Sequence, residues 1–258
     1  MSEPTPADRA LRALADAVGE SRPRRPEDGD DPDVPVAATV VIVRDAVAGP
    51  EVLMIERPDR GSFPGAWVFP GGKLEPADRA EADDTRVDRT ESDELVAARR
   101  AGVRETAEET GLRTDAVALV PLSCWDPPPG LPLRIRTWFF LVPDPGGDMT
   151  LAADEVIAAA WVRPADMLAR HGRGEITLYP PTWVTLHTLA DQPDADALLG
   201  VARIGGIRRF ETVARRGGEG AVLLWQGDAA YDEHAPADPA ARHRLELASL
   251  PWIYTRTD

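Results

Sequence analysis

The chain has 258 residues, with 44 acidic against 29 basic side chains and a formal net charge of −15. That length suits one medium domain with extensions, or two small ones. The acidity disfavours nucleic-acid polymers and anionic membrane surfaces as partners.

In chain order, residues 7–19 place Leu11, Leu14, Ala15 and Val18 at helical spacing and predict a short helix. Residues 21–35 are rich in Pro, Asp, Arg and Gly and predict a flexible linker, so the folded part is expected to begin near Val34. The β-branched run over 36–44 predicts a buried strand. Residues 51–57 predict a second strand, joined to the first by a hairpin connection over 45–50. A short strand at 67–72 runs into a glycine turn, and a helix follows at 92–110. Further strands are expected at 116–123, 135–142 and 157–162. Two helices follow, at 164–170 and from Pro180 to Leu189, where proline suits the first turn. The tail holds strand-like pieces at 207–213, 221–226 and 242–247. Strands and helices do not alternate regularly, so the expected class is α/β with a mixed central sheet, not a doubly wound one.

Cys124 is the single cysteine, which excludes an intramolecular disulfide and suits a reducing cytoplasm. It has no obvious histidine partner and reads as a small buried hydrophobe. The sequence has no apolar run long enough for a bilayer, no signal-peptide pattern at its start and no Ser-Lys-Leu address at its end. The expected location is cytoplasmic.

The sharpest feature is RETAEETGL over residues 104–112. On a helix, Glu105, Glu108 and Glu109 are three and four residues apart and share one face. Ser92 is a natural N-cap, and Gly111 suits the left-handed C′ position. Three carboxylates on one face repel each other by a few tenths of a kcal/mol per pair, roughly 0.2–0.5. A divalent cation removes that penalty, and Mg²⁺ prefers oxygen ligands. Taken alone, the run also suits a solvated acidic face.

Its surroundings resemble the Nudix box, G-x5-E-x7-R-E-U-x-E-E-x-G-U, with U a bulky aliphatic residue. Gly72 matches the start, and Arg104, Glu105, Glu108, Glu109, Gly111 and Leu112 match the second half. Asp78 stands at the middle glutamate, Thr106 replaces an aliphatic residue, and 25 residues separate Asp78 from Arg104 where the pattern has 7. The excess of 18 is a polar, acidic insertion over about 79–93.

The resemblance implies a Nudix α/β/α sandwich with N- and C-terminal extensions. It divides the chain into an N-terminal helix and linker over 1–33, the Nudix domain over 34–195 with its box at 72–112, and a β-rich extension over 196–258. It implies Mg²⁺ or Mn²⁺ held by Glu105, Glu108 and Glu109, with backbone from Gly71 and Gly72. Arg104 would orient a glutamate, and Glu105 or Glu155 would be the general base.

The lead-in RPDRGSFPGAWVFPGG over 57–72 and the insertion inside the box are similar to the coenzyme A and acyl-CoA diphosphatase branch. So are residues 136–140, 178–183 and 242–244. This branch implies Arg57, Arg60 and Phe69 as substrate contacts, although Trp67, Phe69, Trp138 and Phe139 also have the character of core residues. His243, between Arg242 and Arg244, reads as structural or as part of an anion patch. ADP-ribose, NADH, other nucleoside diphosphate derivatives and a non-catalytic nucleotide-binding module remain alternatives. The C-terminal extension is open to roles as a homodimer interface, a substrate cover or extra sheet.

Overall fold

The computed structural model describes residues 12, 15–16, 18–29, 31–61, 63–79, 91–131, 133–218, 220–232 and 237–257. The helix predicted over 7–19 falls largely outside these residues, and so does the insertion over 80–90.

Strand β1 (Val36–Arg44) is the hub, with neighbours on both edges. On one edge it pairs antiparallel with β2 (Glu51–Glu56) and β4 (Gly71–Lys73), and on the other parallel with β6 (Arg136–Pro143). β3 (Trp67–Val68) and β7 (Ala158–Val162) pair with β2, and β5 (Val120–Asp126) pairs with β6. β8 (Arg208–Glu211) joins β5 in parallel, closing a mixed eight-stranded sheet.

Alternation along these strands sends side chains to two faces. Ala38, Val40, Ile42, Trp138 and Phe140 pack on one side, beneath helix α1 (Asp93–Thr110). Val41, Val43, Phe139 and Leu141 face the other, with α2 (Pro164–Gly172), α3 (Pro180–Leu189) and α4 (Ala195–Gly205). The result is the expected α/β/α sandwich on a mixed sheet. An antiparallel four-stranded sheet of β9 (Val213–Arg216), β10 (Ala221–Leu224), β11 (His243–Glu246) and β12 (Ile253–Arg256) follows β8.

The ends of α1 are as the sequence predicts. Ser92 accepts from the Leu95 N–H at 3.2 Å, and Gly111 stands at φ 74° with its N–H on the Ala107 carbonyl. Cys124 is fully buried, and burial pushes its thiol pKa up, as suits an inert small side chain. No helix among the described residues is long and apolar enough to cross a membrane.

Several expectations change. The strand expected at 116–123 begins instead as a 3-10 turn at Ala116–Ala118, because the Asp115 carboxylate accepts from the Val117 N–H and caps it. The single strand expected at 207–213 is two, β8 and β9, in different sheets. Thr212 at the break accepts a bond from the Trp225 indole at 3.0 Å. Helix α4 and strand β12 were not expected; α4 is capped by Asp194 and buries Leu198, Leu199 and Ala202.

Residues 21–35 are docked, where a flexible linker was expected. Asp28 is 3% exposed and forms a two-pronged pair with Arg22. Arg134 pairs with Asp31 at 2.9 Å, and Arg136 donates to the Gly29 carbonyl. Among the described residues of this stretch, Arg22, Arg24, Asp28 and Asp31 are engaged in ion pairs.

Candidate active site

The site is built where the last two turns of α1 meet the glycine turn between β3 and β4. Gly71 has φ 155°, and a Cβ there would stand 2.2 Å from the Ala38 carbonyl oxygen, so only glycine lets this turn lie on β1. Thr39 fixes it from below, its hydroxyl lying 3.1 and 3.0 Å from the Phe69 and Pro70 carbonyls. At Gly72 a Cβ would come within 2.3 Å of the Glu105 carboxylate, so a side chain there would push that carboxylate aside.

Arg104 organises the acidic groups. Its Nη1 donates to Glu105 at 2.8 Å and to Glu108 at 2.9 Å. Its Nε and Nη2 donate to the two oxygens of Asp78 at 3.3 and 2.9 Å, and Nη2 also reaches the Lys73 carbonyl. Asp78 is buried, and its bond to Arg104 is the chief cause of the raised guanidinium pKa. The two halves of the box therefore meet across the insertion.

Glu109 is 1% exposed and so does not belong to a solvated acidic face. It accepts from the Gly71 N–H at 2.7 Å, and Arg57 Nη1 lies 3.4 Å from its other oxygen. Burial pushes its pKa up to about 7, against the pull of the Gly71 N–H and Arg57, and the Glu105 and Glu155 charges add to the rise. Burial also raises Glu105; the Arg104 contact opposes this, and Glu108 and Glu155 reinforce it. Glu108 is open to solvent.

Glu155 comes to this cluster through backbone. The amides of Thr150 and Ala152 donate to the Thr110 and Glu109 carbonyls, which would otherwise be orphaned at the helix end. That hangs the 150–156 loop on α1 and sets the Glu155 charge against Glu105 and Glu109. Arg60 donates to the Asp154 carbonyl at 2.8 Å and tethers the same loop. Phe69 is 2% exposed, edge-on to Phe139, so its ring belongs to the core. Trp67, Trp138 and Phe139 are buried too.

No three His, Cys, Asp or Glu side chains among the described residues converge closely enough to cage a metal. The donor set still suits Mg²⁺ or Mn²⁺. These ions take oxygen ligands, and Mg²⁺ is commonly held by one or two carboxylates plus substrate phosphates. The Glu105 carboxylate occupies the space that a side chain at position 72 would fill, which fits a site that combines both.

Residues 34–180 match the NUDIX domain, more than half of the chain. The chain belongs to the Nudix family. A NUDIX hydrolase from Alicyclobacillus acidocaldarius is 27% identical, with a TM-score of 0.58, over 65% of this chain and 96% of that one. A MutT NUDIX hydrolase from Burkholderia pseudomallei is 21% identical, with a TM-score of 0.41, over 60% and 97%. The NUDIX domain of Shewanella oneidensis NrtR, solved with ADP ribose, is 16% identical, with a TM-score of 0.43, over 64% and 90%. No curated protein matches this chain. As a Nudix enzyme it is a pyrophosphohydrolase, and such enzymes generally use divalent metal ions.

Sequence reasoning placed Asp78 at the middle box position but did not foresee its pairing with Arg104. It missed Thr39, whose only signal was a polar residue inside an apolar strand.

Proposed function

We propose that this Nudix pyrophosphohydrolase cleaves the diphosphate linkage of coenzyme A or an acyl-CoA, giving 3′,5′-ADP and (acyl-)phosphopantetheine. The observation that carries this reading is the contact of Arg104 with Asp78 across the insertion. The box halves on either side of the insertion meet, and an insertion at that place in the sequence connects the chain with the acyl-CoA-hydrolysing branch it resembles.

In this reading Glu105, Glu108 and Glu109 hold Mg²⁺ or Mn²⁺ with backbone from Gly71 and Gly72. The bound ion would neutralise phosphate charge and lower the pKa of a water molecule. Arg104 keeps Glu105 and Glu108 in place through charge-assisted hydrogen bonds. Glu155, or Glu105, takes the proton of the attacking water. Arg57 steadies Glu109, and Arg60 positions the loop that carries Glu155. Both are half-engaged in this way and present their remaining N–H groups to substrate oxygens. Phe69 supports the turn from the core and contributes backbone, not its ring.

The engagement of Arg57 with Glu109 also favours a second reading, a substrate without a further phosphate, such as ADP-ribose or NADH. A hydrolysis panel separates the two: coenzyme A, acetyl-CoA, a long-chain acyl-CoA, ADP-ribose, NADH and a dinucleoside polyphosphate, each with Mg²⁺ or Mn²⁺. The expected result is 3′,5′-ADP from the coenzyme A compounds only. Cleavage confined to ADP-ribose or NADH overturns the coenzyme A reading and leaves the family standing.

A further inference from the structure

The C-terminal extension gathers cations in a chain that is otherwise strongly acidic. Arg208 and Arg209 from β8, His243 from β11 and Arg256 from β12 line a cleft of about 300 Å³. His243 and Arg256 are direct partners across the β11–β12 ladder. Arg209 lies over the Trp138 ring at 5.6 Å.

These arginines lack what their neighbours have. Arg244, next to His243 in sequence, donates to both oxygens of Asp228 at 2.7 and 2.6 Å. Among the described residues, no carboxylate forms an ion pair with Arg208, Arg209 or Arg256. Burial and the like charge of Arg256 lower the Arg208 pKa, and among the causes only the Tyr254 phenol, which also bonds to Arg256, opposes them. His243 bonds through Nδ1 to the Gln226 carbonyl at 2.8 Å, and its Nε2 is buried without a partner. Like charges gathered in a cleft are costly unless an anion joins them.

We propose that this cleft is a second anion site, which takes a phosphomonoester dianion apart from the carboxylate face of α1. Arg208 and Arg256 bring two guanidinium forks from different strands, and a phosphate dianion has oxygens enough to accept from both, whereas Arg209 turns to the Trp138 face of the sheet. The cleft is not part of the box: β8 lies three strand positions from β1, about 14 Å at ordinary strand spacing. The occupant is either a remote phosphate of the substrate or a free phosphate ester. The proposal does not depend on which diphosphate the box cleaves.

The test is calorimetric titration of the full-length, metal-free protein with inorganic phosphate. Without metal, the carboxylates of the box repel phosphate, so the cleft is the site that the titration reads. One saturable site is expected. Affinity should fall at least about tenfold in Arg256→Gln, which alters an exposed side chain, and further in Arg208→Gln/Arg256→Gln. Arg242→Gln removes a nearby charge outside the cleft and should bind as wild type. Absence of saturable binding, or unchanged affinity in both cleft variants, overturns the proposal.

Kinetics then identify the occupant. If the double variant raises KM for coenzyme A but not for dephospho-coenzyme A, the cleft holds the substrate's own phosphate. If phosphate binding is lost and both rates are unchanged, the cleft holds a free ester. Should neither compound be cleaved, the coenzyme A reading fails while the titration still decides the anion site.

Discussion

The two halves of α1 use the same residue types to opposite ends. The first half is tied down by paired charges: its buried Arg99 takes both oxygens of Glu91, two residues before the helix, and Glu94 bonds to Arg136 and the Trp138 indole. In the second half Glu105 and Glu108 share one arginine with Asp78, and Glu109 is left to a backbone amide and a long contact with Arg57. Charge is balanced where the helix is fixed to the sheet and unbalanced where it faces the glycine turn. A carboxylate whose pKa is pushed up by burial and by its neighbours signals a place prepared for a cation.

Substitutions should separate these halves. Glu109→Gln keeps an acceptor for the Gly71 N–H, so the melting temperature should stay close to wild type. Turnover should fall on the order of 1,000-fold, comparable to loss of a key electrostatic group. A near-normal rate would remove Glu109 from the site.

Arg99→Met should do the reverse. It strands Glu91 and should cost about 3 kcal/mol in denaturant unfolding. Its kcat at a permissive temperature should stay within a few-fold of wild type, and a selective loss of kcat would blur the contrast.

pH sharpens it further. Glu109 has a folded pKa near 7 against an ordinary 4.5, so the folded state holds the proton more tightly. In the metal-free protein, stability from this group is present below 4.5 and is lost as pH rises through about 7, on the order of 3 kcal/mol. His171 works oppositely: burial lowers its pKa to about 4, so its contribution is lost as pH falls below 6.5. Comparing wild type with Glu109→Gln isolates the carboxylate. Binding of Mn²⁺ should weaken by up to tenfold per unit below about pH 7, because the ligand must first lose its proton. A flat profile would contradict the site.

The smallest effect is expected from removing residues 1–33. Because Arg22, Gly29 and Asp31 are docked on the Pro129 carbonyl, Arg136 and Arg134, a loss of about 1–2 kcal/mol is expected, with little change in kcat. An unchanged melting temperature would restore the flexible linker.

What was legible in the sequence was local. Apolar periodicity marked β1 and β2, and caps at Ser92 and Gly111 marked the ends of α1. What was not legible depends on segments far apart in the chain. Spacing put Glu109 on one face with Glu105 and Glu108, but not under the glycine turn and the 150–156 loop that enclose it. Nothing near Arg60 in sequence announces that it also tethers the loop carrying Glu155. In the tail, adjacency misled: Arg242, His243 and Arg244 suggested one patch, but Asp228 takes Arg244, and the arginines beside His243 in space come from β8 and β12.

The insertion has a consequence for how the chain can be lengthened. Arg100 donates to the Asp78 carbonyl just before it, and Arg99 grips Glu91 just after it. Two successive arginines of one helix thus hold both ends of the detour side by side. With the ends pinned, the entropy of closure grows only with the logarithm of loop length, about 0.6 kcal/mol per doubling. The stretch between Arg79 and Glu91 is therefore a port: a reporter domain spliced there should leave the metal-facing half of α1 in register, because the staples and not the intervening length hold the box closed.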